Sequence, residues 1–167
     1  MILTKAEIVS RLSFTPPLIE NLINAEVQIQ PNGVDLSLQS VSKYDGDGTI
    51  DFSNQSRVLP PLSTLEFDAD GWLVLQRGSY LVTFNEIVNL PIDVMAIGRP
   101  RSSMLRVGAT VETAVWDAGY RGRSQSMLIV YNENLRLSKN ARIMQLVFMR
   151  LSKETEAYKG VYQGENL

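Results

Sequence analysis

From Gly33 to Leu151 the chain reads as a succession of short apolar runs, each cut off by glycine, proline, aspartate or asparagine. Val34, Leu36 and Leu38 alternate with Asp35, Ser37 and Gln39, the period of a strand with one buried face. Further strands are expected over Thr64–Phe67, Trp72–Leu75, Ser79–Val88, Val94–Ile97, Thr110–Trp116, Gln125–Asn132 and Arg142–Leu151. Many short strands without strand–helix–strand alternation imply a mainly β fold, a sandwich or barrel. Asp45-Gly46-Asp47-Gly48 supplies one of the turns; it lacks the remaining ligands and terminal glutamate of a calcium loop.

Helix is expected only ahead of this region. Thr4 and Glu7 form a capping-box pattern, and Ile8 and Leu12 share a face, which places a helix over about residues 4–12. Pro16-Pro17 closes it and can open a second short helix over Leu18–Asn24. The last stretch, KETEAYKGVYQGENL, is polar and glycine-bearing, which suits a flexible arm. The expected organisation is one β domain over residues 1–152 and an arm over 153–167 that closes over the active site. A chain of 167 residues has no need of a second domain.

Two absences narrow the chemistry. The chain has no cysteine and no histidine, so disulfides, Ser-His-Asp and Cys-His catalysis, and His/Cys-held zinc are all excluded. Any catalytic metal must then have oxygen ligands, which favours magnesium carried on phosphates. A net charge of −2 argues against a nucleic-acid partner, which calls for a broad basic face. No apolar run is long enough to span a bilayer, and MILTKAEIVSRL interrupts its apolar positions with charge, unlike a signal peptide. The expected location is the cytoplasm.

Against that acidic balance, Gly98–Arg123 holds five of the eleven arginines: Arg99, Arg101, Arg106, Arg121 and Arg123. Guanidinium groups fork onto phosphate oxygens, and Ser102-Ser103 adds hydroxyl and backbone donors beside them. Asp117 follows in a turn-like setting between Trp116 and Ala118-Gly119. A phosphate cradle with one placed base is the minimum for hydrolysing a phosphoanhydride. The same composition also describes a hairpin with charge scattered on a solvated face.

Four ordered blocks decide between these. PRSSMLRVG (Pro100–Gly108) resembles the phosphate-binding serine motif of the dUTPase and dCTP deaminase superfamily, and AVWDAGYRG (Ala114–Gly122) resembles its substrate hairpin. IQPNGVDLSL (Ile29–Leu38) and ARIMQLVF (Ala141–Phe148) are similar to its first and fourth motifs. The resemblance implies a distorted jelly-roll or β-barrel of the dUTPase-like (β-clip) type, assembled as a homotrimer with active sites between subunits. It implies Asp117 as the base that activates water against the α-phosphorus of dUTP, giving dUMP and pyrophosphate. Arg101, Ser102, Ser103 and Arg106 would hold the triphosphate, with Gln145 donating from the fourth motif. Backbone groups of Val111 and Thr113 would read the pyrimidine, and Tyr120 would pack under the sugar. Tyr162 and Gln163 would join from the arm, with Lys159 as its nearest cation. Mg2+ is expected on the triphosphate, with Asp35 within reach through water and otherwise a structural residue.

The N-terminal helix, the spelling IQPNGVDLSL and the tail VYQGEN lean toward the deaminase branch, and the glycine-rich fifth motif of ordinary dUTPases is missing. Deaminases and bifunctional deaminase–dUTPases carry a proton-shuttling glutamate ten residues after the hairpin aspartate. Here that position is Met127, whose thioether cannot move a proton. The pattern resembles archaeal-type dUTPases built on the deaminase scaffold. A dCTP deaminase or bifunctional enzyme, and a nucleotide-binding regulator without turnover, are the alternatives. The arm departs from the family's Lys-Tyr-x-Gly-Gln, reading Val161-Tyr162-Gln163-Gly164-Glu165.

Overall fold

A computed structural model describes all of residues 1–167. The first helix forms as the capping box dictates: α1 spans Lys5–Arg11, the Thr4 side chain accepts from the Glu7 amide, and Glu7 accepts from the Thr4 amide in return. Ile8 is the face it buries.

The second helix expected at Leu18–Asn24 is not there. Ile19–Glu20 instead forms a short strand, β1, and Asn21 takes a left-handed backbone (φ 62) that ends it. Leu18 and Ile19 are both buried, and pairing with an open strand edge satisfies their backbone better than one isolated helical turn would. Helix begins after Asn24, whose side chain caps α2 (Ala25–Gln28).

The strands follow in order: β2 (Ile29–Gln30), β3 (Gly33–Tyr44), β4 (Leu62–Leu65), β5 (Trp72–Phe84), β6 (Ile87–Asn89) and β7 (Val94–Pro100). After α3 (Ser102–Arg106) come β8 (Ala109–Glu112), β9 (Val115–Trp116), β10 (Arg121–Gly122), β11 (Gln125–Ser138) and β12 (Arg142–Arg150). Nine of them form an antiparallel sheet in the order β8-β11-β5-β3-β12-β7-β9, with β2 and β4 also paired to β3; β1, β6 and β10 form a second, three-stranded sheet.

β3 is the strand on which the sheet curls. Its first half pairs with β12 and its second half with β5, with the register shifting between Leu38 and Ser40. The large sheet therefore wraps into a half-barrel, with Leu36, Leu38, Phe84, Leu128, Ile143, Leu146 and Phe148 fully buried inside it. Each such side chain contributes about 1.5–3 kcal/mol of burial. The mainly β architecture expected from the alternating pattern is the one observed, as a curled antiparallel half-barrel. No helix is long and apolar enough to cross a membrane.

Glu86 is buried in the turn between β5 and β6 and ties three elements together. Its carboxylate accepts from Gln28 Nε2 (2.6 Å), Ser37 N (2.8 Å) and Ser37 Oγ (2.5 Å). Burial pushes its pKa up, against the pull of those donors.

Candidate active site

β7 runs directly into α3, so the motif Arg101-Ser102-Ser103 sits where a strand leaves the sheet and the chain turns outward. Ser102, Ser103 and Arg106 are exposed on α3, and Arg106 has no ion-pair partner. Beside them lies a cleft of about 700 Å³, whose lining includes Asn32, Asp35, Arg99, Arg101, Ser102 and Gln145. Gln145 is placed by register: on β12 it faces Arg99 of β7 on one side and Asp35 of β3 on the other.

Asp35 is not free at the floor of this cleft. Its Oδ2 lies 3.0 Å from Arg101 Nε and 3.1 Å from Arg142 Nη1, with the carboxylate side chain 2% exposed. Burial raises its pKa, and the two guanidinium charges oppose that rise. Arg101 also donates to the Arg142 carbonyl (3.2 Å), so it is tied to the wall of the cleft.

Asp117 stands elsewhere. The Tyr120 amide donates to the Asp117 carbonyl (3.1 Å), closing a turn in which Ala118 and Tyr120 are buried while Asp117 stays exposed. Ala96 pairs with Trp116 and Ile97 with Val115, which sets Asp117 level with Met95. Met95 is four residues back along β7 from Arg99, about 13 Å at the rise of a strand. Asp117 is not among the residues that line the cleft. Val111 lies on β8, the end strand of the large sheet, and Thr113 follows it, with its hydroxyl donating to the Gly98 carbonyl (3.2 Å). The outer backbone edge of β8 has no partner strand.

The arm packs against the hairpin of its own chain. The Tyr158 amide donates to Ala118 O (2.8 Å), the Gly164 amide to Arg121 O (2.8 Å) and the Arg123 amide to Glu165 O (3.0 Å). Gln163 spans the turn, its Oε1 accepting from Arg121 N (2.9 Å) and its Nε2 donating to Gly119 O (3.0 Å). Tyr162 lies 5.9 Å from the Arg57 guanidinium. Gly119 permits this approach, since a Cβ there would lie 2.5 Å from the Ala157 Cβ.

A sequence profile described as dCTP deaminase-like matches residues 2–151. The chain belongs to the dCTP deaminase-like family. It is 55% identical to a probable deoxyuridine 5'-triphosphate nucleotidohydrolase of Methanosarcina barkeri over 99% of this chain and 98% of that one. It is 39% identical to the deoxyuridine 5'-triphosphate nucleotidohydrolase of Methanocaldococcus jannaschii over 83% and 89%. Among solved structures, the 2'-deoxycytidine 5'-triphosphate deaminase of Agrobacterium tumefaciens superposes with TM-score 0.66 at 21% identity, covering 88% of this chain and 47% of that one. That likeness is one of fold.

Within this dCTP deaminase-like fold, Tyr120 is covered. Its ring meets that of Tyr158 edge-on at 5.9 Å, and its hydroxyl donates to Glu165 Oε1 (2.8 Å). Burial and the neighbouring carboxylate push the phenol well above its usual range, and burial raises Glu165 as well. Met127 lies on β11 with Leu81 on one flank and Glu112 of β8 on the other. Residue type and spacing assign no part to Arg142, Glu165 or Glu112. Arg142 lies within a quoted motif and could have been paired with Asp35, but Glu165 and Glu112 act through register and chain return, for which the sequence carries no signal.

Proposed function

We propose that the chain is a dUTP diphosphatase. The observation that carries this is identity to archaeal deoxyuridine 5'-triphosphate nucleotidohydrolases along nearly the full length of both chains. Asp117, exposed at the tip of its turn, takes the proton of a water molecule. The water oxygen forms a bond to the α-phosphorus, and the bond from that phosphorus to the bridging oxygen breaks, releasing pyrophosphate. Ser102, Ser103 and Arg106 hold the phosphates, while the open backbone edge at Val111 and Thr113 reads the uracil and Tyr120 underlies the sugar.

Asp117 does not line the phosphate cleft of its own chain, which supports a complete site formed between subunits of a homotrimer. Mg2+ enters on the triphosphate. Asp35 does not fit as its partner, since its carboxylate is shared by two arginines, and no three acidic side chains converge to hold a metal. The arm, parked on its own hairpin, brings Tyr162 and Gln163 to the site by closing.

The test is pyrophosphate release from dUTP by the parent and by Asp117→Asn. The expected result is a loss of about 10²–10⁴-fold in kcat with nucleotide binding retained. An unchanged rate would remove Asp117 as the base, and no turnover by the parent would leave the regulator reading.

A second reading has one observation in its favour. Glu112 is the cross-strand partner of Met127, so a carboxylate does stand one strand from the position a deaminase needs. This favours testing dCTP alongside dUTP.

A further inference from the structure

The phosphate motif supplies Ser102, Ser103 and Arg106 from α3, but the cleft beside it extends away from α3 along the sheet, over Arg99 and Gln145. Three charged residues line it: Asp35, Arg99 and Arg101. Asp35 and Arg101 are paired at 3.0 Å, and Arg142 binds the same carboxylate oxygen from outside the lining. Two guanidinium groups on one carboxylate leave that trio net positive. Arg99 is the remaining charge, exposed and without an ion-pair partner.

Register sets what Arg99 can do. It faces Gln145 across β7 and β12, and side chains directly opposite in an antiparallel pair project from the same face. Gln145 in turn lies over Gly33, where a Cβ would come within 3.0 Å of its Nε2 and 2.4 Å of the Leu146 carbonyl. The absence of a side chain there gives the amide its place. A guanidinium and an amide thus stand side by side over a cleft with surplus positive charge, the donor set that recognises phosphate oxygens.

We propose that Arg99, with Gln145, forms a subsite for the two terminal phosphates of the substrate, the pair that departs as pyrophosphate. The inference deepens the dUTP diphosphatase reading and rests on it for the identity of the substrate. The terminal pair carries most of the negative charge of the triphosphate, which is what a further guanidinium beside the Ser102-Ser103-Arg106 set would meet. What the cleft takes are phosphates that stay bound to protein donors while the bond to the α-phosphorus breaks. Arg99 lies outside the serine motif, immediately before its first residue, Pro100.

The experiment compares Arg99→Ala, Arg99→Lys and Arg77→Ala, the last removing an exposed charge from β5. Each is assayed for dUTP hydrolysis and for inhibition by inorganic pyrophosphate and by dUMP. Arg99→Ala is expected to raise KM for dUTP and the inhibition constant of pyrophosphate by about tenfold, the usual scale of one charge-assisted contact, with kcat within about twofold. The dUMP inhibition constant stays the same, Arg99→Lys recovers part of the loss, and Arg77→Ala matches the parent. Equal pyrophosphate inhibition in Arg99→Ala and Arg77→Ala would overturn the proposal, as would a parallel loss of dUMP binding. Should the parent fail to turn over dUTP, calorimetric titration of pyrophosphate into the parent and Arg99→Ala still tests the subsite, separately from the reaction. Unchanged melting temperatures show that the variants fold.

Discussion

Asp35 and Arg101 meet at 3.0 Å in the floor of the phosphate cleft, with a second arginine, Arg142, at 3.1 Å on the same oxygen. The pair links β3 to the point where β7 gives way to α3, so Asp35 of the first sequence motif fixes Arg101 of the serine motif. Asp35→Asn removes the charge but keeps the shape, leaving two guanidinium groups facing each other. Because both arginines are about 30% exposed, water offsets part of the cost, and the expected loss is about 2 kcal/mol, below the 3–5 typical of a fully buried pair. Urea unfolding measures it. KM for dUTP should rise with it, since Arg101 no longer holds the start of α3 in place. A variant as stable as the parent would show that the pair is not what anchors this corner.

The Tyr120 hydroxyl and Glu165 carboxylate hold the end of the arm to the hairpin. Gly122 makes room for them, as a Cβ there would fall 2.6 Å from the Tyr120 Oη. Tyr120→Phe leaves Glu165 half-buried without its donor, at a cost of about 1–2 kcal/mol local to the arm. Limited proteolysis should then cut within residues 153–167 faster than in the parent, while hydrogen exchange in β3 and β12 is unchanged. Equal cleavage rates would mean that Gln163 and the backbone bonds to Arg121 and Arg123 hold the arm by themselves.

Glu86 gives a pH dependence of known sign. Its folded pKa is raised by burial, so the native state binds the proton more tightly than the unfolded chain does. Its contribution to stability is therefore fully present below the ordinary glutamate pKa and declines as pH rises toward the raised value. Glu165, also raised, slopes the same way. Glu86→Gln should flatten part of that slope above about pH 4.5. It should also lower stability by about 1–3 kcal/mol, because an NH2 group replaces an oxygen to which Gln28 or Ser37 donates. Chemical denaturation at several pH values separates the two effects.

The fold was legible where local pattern decides it. Val34, Leu36 and Leu38 alternate because one face of β3 meets the apolar core, although Asp35 and Ser37 on the other face are buried too, and Thr4 with Glu7 marks a helix start that needs nothing distant. At Leu18–Asn24 local preference and tertiary demand diverged: proline chemistry permits a helix, and the open edge of β6 at Ile87 and Val88 took the segment as a strand. The site divides the same way. Residue types and order named Asp117 and the Ser102-Ser103-Arg106 set. That Arg101 would turn inward onto Asp35, and that Arg99 would be left unpaired, depends on which strands lie beside β12, and spacing along the chain does not encode that.

Met127 and Glu112 bear on the reaction itself. Counting along the chain puts a thioether where a deaminase needs an acid, but the register of β8 against β11 puts Glu112 beside it. Neighbouring strands are about 4.8 Å apart, whereas proton transfer needs a heavy-atom approach of about 2.6–3.2 Å. A carboxylate rooted one strand over is therefore not equivalent to one on β11. Glu112 is also engaged locally, accepting from the Thr110 hydroxyl at 3.3 Å. The parent protein incubated with dCTP should release no ammonia above a blank, while it releases pyrophosphate from dUTP. Ammonia from dCTP that disappears in Glu112→Gln would show that the side chain reaches across the strand pair, and the bifunctional reading would replace the one proposed above.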